Sequence, residues 1–365
     1  MTPFHNKAIA YRPEVDGLRT IAVLPVILFH AGIGFFSGGF VGVDVFFVIS
    51  GYLITLIILR EMEEGKFSVI RFYERRARRI LPALFFVILC CFPFAYFLML
   101  PDEFKRFGQS VFSVAVFSSN IYFWKKTDYF SPAAEEQPLL HTWSLAVEEQ
   151  YYFIFPLFLM LLWRFGKNKL FWSTAILAGL SICLTEWAWR NFPSANFYLL
   201  PTRAWELLAG SLLAFIPYSK AQQIRSGVFA QLASLLGLFL IAYAVVFFDG
   251  KTPFPSLYSL IPVIGAVLVI AYSSPDNIAG RLLSTKLMVG IGLISYSAYL
   301  WHQPVFAFIR LYYVADPVKT VFLLGAFASL VMAWFSWKFV EAPFREKISF
   351  NQRFIFLFAG TGLIF

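Results

Sequence analysis

The chain has 365 residues, of which 59% are hydrophobic, 20% aromatic and only 14% charged, with mean hydropathy +0.70 and a net charge of +9. Soluble domains carry about 25% charged residues, so this composition excludes a string of soluble domains and places the chain in a membrane. The positive charge lies in short stretches between apolar runs, the pattern of cytoplasmic loops rather than of a nucleic-acid footprint, and no nucleic-acid partner is expected.

A spanning helix needs about 20 mostly apolar residues. The first is expected over 18–36, and the second over 43–60 after a Gly-rich turn. Pro13, Glu14 and Asp16 precede the first run, which has no small-residue cleavage site, so it reads as a spanning helix and not a cleaved signal. The stretch with Arg60, Lys66, Arg71, Arg75, Arg76, Arg78 and Arg79 reads as a cytoplasmic loop, which puts the N-terminus inside. A third helix is expected over 80–100. Residues 107–124 are apolar enough to span, but a full span would carry Arg164, Lys167 and Lys169 to the outside. They are therefore expected to lie along, or dip into, the outer side. Further spans are expected near 142–163, 170–190, 201–217, 228–248, 257–274, 289–310 and 318–340. The basic clusters at 164–169, 220–225, 281–286 and 338–353 then face the cytoplasm, and the connections near 191–200, 249–256 and 311–317 lie outside. The fold class expected is an all-α membrane protein with ten spanning helices and one non-crossing segment, its membrane domain covering 1–349. Phe354 to Phe365 is too short to cross and reads as the start of an eleventh helix, over 350–365, that is cut short. Cys90, Cys91 and Cys183 lie in apolar runs with no metal-ligand spacing, so buried thiols are expected and no metal site.

Ionisable groups deep in a membrane mark function by default. Arg19 and His30 are eleven residues apart, roughly 16 Å along a helix, which places one charge near a membrane face and one imidazole past the middle. Asp44, His141, Glu148, Arg203, Glu206 and His302 fall in the outer half of their helices. A carboxylate beside an imidazole orients it and makes it a better base. Each residue also has a plainer reading. Glu148 and Glu149 point about 100° apart, so one of them faces headgroups. Arg203 and Glu206 pair with each other. His302 satisfies carbonyls freed by Pro304. Arg75, Arg76, Arg78 and Arg79 beside a helix start suit phosphate, either on a cytoplasmic ligand or on anionic membrane lipids, and are otherwise topology signals. Walker A, GxGxxG, HExxH and GxSxG patterns are absent from the sequence, so ATPase, dinucleotide and zinc-protease readings have no support.

From Asp16 to Arg345 the chain resembles the membrane acyltransferase-3 family of bacterial O-acyltransferases that modify envelope polysaccharides. The resemblance rests on Arg19 and His30 with ten residues between them, on 39–54 (GFVGVDVFFVISGYLI), on 75–82 (RRARRILP), on 142–152 (TWSLAVEEQYY), on 295–302 (SYSAYLWH) and on 340–345 (VEAPFR). Tyr151 stands where Phe is usual in that family. The resemblance implies a multi-pass protein of the bacterial inner membrane with no resident cofactor. It implies acetyl-CoA as cytoplasmic donor and, as acceptor, an external polysaccharide or lipid-linked glycan such as lipopolysaccharide O-antigen. It further implies a C-terminal extracytoplasmic SGNH-type domain in the same chain. On these terms His30 and Glu148 are the expected catalytic pair, with Glu148 orienting His30. Arg19, Arg75, Arg76, Arg78 and Arg79 are expected on the donor, and Asp44, Ser50, His141, Arg203, Glu206, Tyr299 and His302 are expected in support or on the acceptor side. A proton-coupled transporter or flippase of a glycan or acyl donor is the competing expectation, because mid-membrane ionisable groups suit it too.

Overall fold

The structure, a computed structural model, describes residues 11–126, 129, 132–313, 317–346 and 352–364. The architecture is all-helical, with no strand among the described residues. Six helices are long and apolar enough to cross a membrane: Gly39–Glu63, Val69–Leu98, Thr142–Trp163, Lys167–Asn191, Gly227–Phe247 and Lys319–Arg345. The other expected spans are occupied by shorter or more polar helices, so a count of ten spans is not established by length and composition. The boundary expected at 349/350 lies outside the described residues.

Helix α1 (Pro13–His30) begins on Pro13, whose missing N–H suits a helix start, and keeps Glu14, Asp16 and Arg19 in its first two turns. Helix α2 covers Gly42–Glu63 and packs on α10 (Leu200–Leu213). Their approach depends on glycine: a Cβ on Gly51 would lie 1.8 Å from the Leu207 carbonyl oxygen, and one on Gly210 1.9 Å from that of Val48. Small residues at such crossings let membrane helices pack closely where lipid offers no hydrophobic drive. Helix α3 runs from Val69 to Leu98, eleven residues earlier than the expected start at Ile80. Ser68 caps it by accepting a hydrogen bond from the Arg71 amide. The arginine run is thus helix and not loop, and the Tyr73 hydroxyl donates to the Tyr152 and Phe153 carbonyls of α7 (Thr142–Trp163). That contact brings Arg76 level with the middle of α7.

The segment expected not to cross forms two short helices, α4 (Pro101–Ala115) and α5 (Ser119–Lys126), each below the spanning length. After the one-turn α6 (Pro132–Glu135) and α7 come α8 (Lys167–Asn191), the short α9 (Pro193–Tyr198) and α10. A surface turn, α11 (Tyr218–Ile224), leads to the tightly packed pair α12 (Gly227–Phe247) and α13 (Leu260–Tyr272). The span expected over 289–310 is broken: α14 (Ile278–Leu283) and α15 (Lys286–Leu293) precede α16 (Ser295–Tyr312). Helix α17 (Lys319–Ser336) continues through a π-helical turn, Trp337–Glu341, into α18 (Ala342–Arg345), and α19 (Gln352–Ile364) packs against α3. The lateral surface exposes Leu89, Phe97, Phe153, Leu180, Phe239 and Phe327, as lipid-facing helices do. Cys91 is buried, but Cys183 is exposed on α8, contrary to the expectation of three buried thiols.

Candidate functional site

Three buried polar layers lie on the inner faces of α1, α2, α3, α7, α10 and α16. The first is built from histidines. His30 ends α1, His141 caps α7 and His302 lies in the second turn of α16; all three are nearly or fully buried. The His302 ring stands 5.3 Å, centroid to centroid, from both His30 and His141. His302 Nδ1–H donates to the Tyr299 carbonyl at 2.5 Å, so Nε2 presents its lone pair to the space between the rings. His30 Nε2 is 3.4 Å from the Tyr129 hydroxyl, and its Nδ1 has no partner among the described residues. Arg310 donates to the His30 carbonyl at 2.9 Å and pairs with Glu135 at 2.7 Å, which holds the end of α1. The Tyr299 hydroxyl donates to the His141 carbonyl at 3.0 Å and shares a 2.7 Å hydrogen bond with Ser144.

The second layer surrounds Arg203. Its guanidinium is fully buried, 3.3 Å from Asp44 and 3.2 Å from Glu206, both also fully buried. The rings of Phe47, Trp143, Phe197 and Phe254 enclose it with centroids at 5.4–5.8 Å. Two carboxylates meet one guanidinium here, so the expected Arg203–Glu206 pair is a three-member centre with Asp44 from α2.

The third layer starts at Glu148. Ser50 donates to one Glu148 oxygen at 2.8 Å and Tyr152 to the other at 3.3 Å. Arg76 pairs with Glu149 at 2.9 Å and lies over the Tyr152 ring at 4.0 Å. Neither glutamate is therefore a headgroup contact. Glu148 also does not orient His30 directly, because Tyr129 and His302 occupy that place. The reason is depth: Glu148 is seven residues into α7 from His141, about 10 Å along the axis. The arginine run divides. Arg79 faces Arg19, Arg76 and Arg345, and no carboxylate pairs with it among the described residues. Arg19 is tethered to Asp16 at 2.7 Å, and Arg345 to Glu341 of the π turn at 2.5 Å. Arg75 turns away to Glu61 and Arg78 to Glu74 and the Phe344 carbonyl, so these two expected donor ligands stand outside the convergent group.

Sequence reasoning missed Tyr129, Tyr152, Arg310 and Arg345. Arg345 had a local signal, being four residues after Glu341 on a helical turn; Tyr129 had none. No set of three His, Cys, Asp or Glu among the described residues has the geometry to hold a metal ion.

This arrangement sets imidazole nitrogens without hydrogen-bond partners at one depth and, at another, four arginines of which Arg79 has no ion pair among the described residues. The O-acetyltransferase OatA proteins of Staphylococcus aureus strains NCTC 8325 / PS 47, COL and N315 are each 33% identical over 352 residues, 92% of this chain. The chain covers 58% of the length of these relatives. No solved structure matches. The acyltransferase domain profile (Acyl_transf_3) matches residues 12–339, and the chain belongs to that family.

Proposed function

We propose that this domain moves an acetyl group from cytoplasmic acetyl-CoA to a hydroxyl of an extracytoplasmic polysaccharide. Lipopolysaccharide O-antigen is the kind of acceptor that the family resemblance suggests. In this reading the protein sits in the bacterial inner membrane with its N-terminus in the cytoplasm, and an extracytoplasmic domain of the same protein is a partner. One observation carries the proposal. From the arginine group a polar chain of Glu149, Tyr152, Glu148 and Ser50 leads into the helix core, whose other end carries the histidine layer. Arg19 and His30 set the separation, eleven residues or about 16 Å on α1.

Arg79, without a carboxylate ion pair among the described residues, takes the donor phosphates by charge-assisted hydrogen bonds, with Arg19 and Arg345 beside it. The donor arm then runs past Tyr152 and Ser50 toward His30. His30 removes the proton of the sugar hydroxyl, the hydroxyl oxygen bonds to the acetyl carbon, the C–S bond breaks and the thiolate leaves, taking up the proton. In the covalent variant the His30 nitrogen bonds to the acetyl carbon first, the C–S bond breaks and the thiolate leaves; the sugar oxygen then bonds to the acetyl carbon, the N–C bond breaks, and the hydroxyl proton is taken up by the freed imidazole. His302, its Nδ1 proton committed to the Tyr299 carbonyl, places a second neutral imidazole 5.3 Å from His30, centroid to centroid.

The test is mass spectrometry of the purified chain with isotopically labelled acetyl-CoA, comparing wild type with His30→Ala. A labelled adduct that vanishes in the variant supports the covalent order. CoA release that needs both His30 and added glycan supports direct transfer. Full transfer by His30→Ala at normal expression refutes the assignment, and neither adduct nor CoA release from wild type favours a carrier instead.

A further inference from the structure

The hairpin of α4 and α5 takes no part in the reading above, yet its construction calls for an occupant. Helix α4 folds back along α3, with Phe104 against Tyr96 (6.2 Å) and Phe107 against Phe92 (5.4 Å). The turn is pinned to α7 by Gln150, which donates to the Phe117 carbonyl at 3.0 Å and to Asn120 at 2.8 Å. Helix α5 then returns outward, and Tyr122 donates across the hairpin to the Arg106 carbonyl at 3.1 Å. Between the two arms lies an open groove of about 810 Å³. Lys105, Lys125 and Lys126 line it, all exposed and without an ion-pair partner among the described residues. Phe112 and Ile121 line it as well, 66% and 40% exposed.

The charge is out of place. The hairpin lies at the His30 end of the bundle, because Asn120 donates to the Tyr198 carbonyl in the link to α10, and Tyr129 reaches His30. Two other connections at that end, 31–41 and 191–200, carry no Lys or Arg, and 249–256 carries Lys251 alone. The hairpin carries Lys105, Arg106, Lys125 and Lys126 against Asp102 and Glu103. Topology alone does not ask for cations on this side. Ammonium groups without an ion pair among the described residues, beside an apolar wall, match a ligand with an anionic head and a hydrocarbon chain. The groove also adjoins the histidine layer. Tyr129 follows Lys126 by three residues, a chain reach of at most about 10 Å, and its hydroxyl faces His30 Nε2 at 3.4 Å.

We propose that the α4–α5 groove holds a phosphate-bearing lipid, its phosphate on Lys105, Lys125 and Lys126 and its chain over Phe112 and Ile121, and that this lipid is the carrier that presents the acceptor glycan to His30. The second half rests on the acyl-transfer reading; the first half does not. The experiment uses the full chain in nanodiscs of zwitterionic phosphatidylcholine and a fluorescent long-chain prenyl phosphate as probe. Saturable binding is expected that weakens with added salt. It falls tenfold or more in Lys105→Gln/Lys125→Gln/Lys126→Gln and survives an equal mole fraction of phosphatidylglycerol. Binding unchanged in the triple variant overturns the proposal, as does competition by phosphatidylglycerol, which makes the groove an ordinary headgroup contact. No acyl donor enters this assay, so its outcome is separate from that of acetyl transfer. With a lipid-linked acceptor, the variant's KM for acceptor is expected to rise tenfold with kcat and donor KM unchanged. An unchanged acceptor KM overturns the carrier role.

Discussion

Replacing Arg203 tests the buried centre between α2, α7 and α10. Its guanidinium lies 3.3 Å from Asp44 and 3.2 Å from Glu206, with all three side chains fully buried. At an effective dielectric of about 20, each attraction is worth about 5 kcal/mol before desolvation and the mutual repulsion of the carboxylates are counted. Removing one partner of a buried pair typically costs about 3–5 kcal/mol, because a charge is left without compensation. Arg203→Met removes the charge but keeps an unbranched chain to fill the ring enclosure of Phe47, Trp143, Phe197 and Phe254. We therefore expect it to destabilise by about 4 kcal/mol, roughly 10 °C in Tm at about 2–4 °C per kcal/mol. Asp44→Asn and Glu206→Gln each leave one anion on the guanidinium and bring the centre to neutrality, so each should cost about 1 kcal/mol. Arg203→Met/Asp44→Asn/Glu206→Gln should recover most of the loss, since no charge stays buried alone. The assay is thermal unfolding of the purified variants in one detergent, followed by tryptophan fluorescence. Arg203→Met melting within about 2 °C of wild type, or a triple variant no better than the single one, refutes the charge argument.

The divided arginine run predicts unequal effects. Arg79→Ala should raise the acetyl-CoA KM at least tenfold, since a charge-assisted hydrogen bond is worth about 1.5–3 kcal/mol. Arg75→Ala, which only releases the partly exposed Glu61, should not; equal effects in steady-state kinetics refute the division. Gly51→Ala and Gly210→Ala each push a methyl into a carbonyl oxygen under 2 Å away and should lower Tm, whereas Gly179→Ala, with nothing within 4 Å, should leave it in place. Tyr129→Phe removes the hydroxyl facing His30 and should slow labelled acetyl transfer about tenfold at unchanged Tm; an unchanged rate makes that hydroxyl a packing group.

Much of the fold was legible because membrane helices announce themselves by length and hydropathy. Thr142–Trp163 coincides with the expected span, and Gly227–Phe247 and Lys167–Asn191 differ from theirs by a few residues. The failures have physical causes. The start of α3 was set eleven residues late because six Lys or Arg from 66 to 79 read as solvent-facing loop, whereas Glu61, Glu74 and Glu149 compensate three of the arginines within the bundle. The span expected over 289–310 was continuous in hydropathy, yet the chain breaks after α15 at Ile294 and caps there on backbone alone. The π turn at Trp337–Glu341 was invisible, since nothing in its composition distinguishes it from an ordinary helical turn.

The site shows what one-dimensional reading supplies and what it leaves out. A helix converts residue number into depth at about 1.5 Å per residue, so the separation of Arg19 from His30 was available in advance. So was the offset between His141 and Glu148: seven residues, about 10 Å, is too far for both to meet one imidazole. Assigning both to one outer half hid that offset. Direction around the helix axis is different, because it depends on which neighbour arrives. Arg76 and Arg79 join the convergent group while Arg75 pairs with Glu61 and the buried Arg78 with Glu74, and that follows from Tyr73 docking on the Tyr152 and Phe153 carbonyls and from Phe344 meeting Arg78. Those partners come from α7 and α18, 79 or more residues away in sequence. Composition could single out the arginines as a group, but only packing could divide them into a pair that joins the convergent group and a pair bound elsewhere.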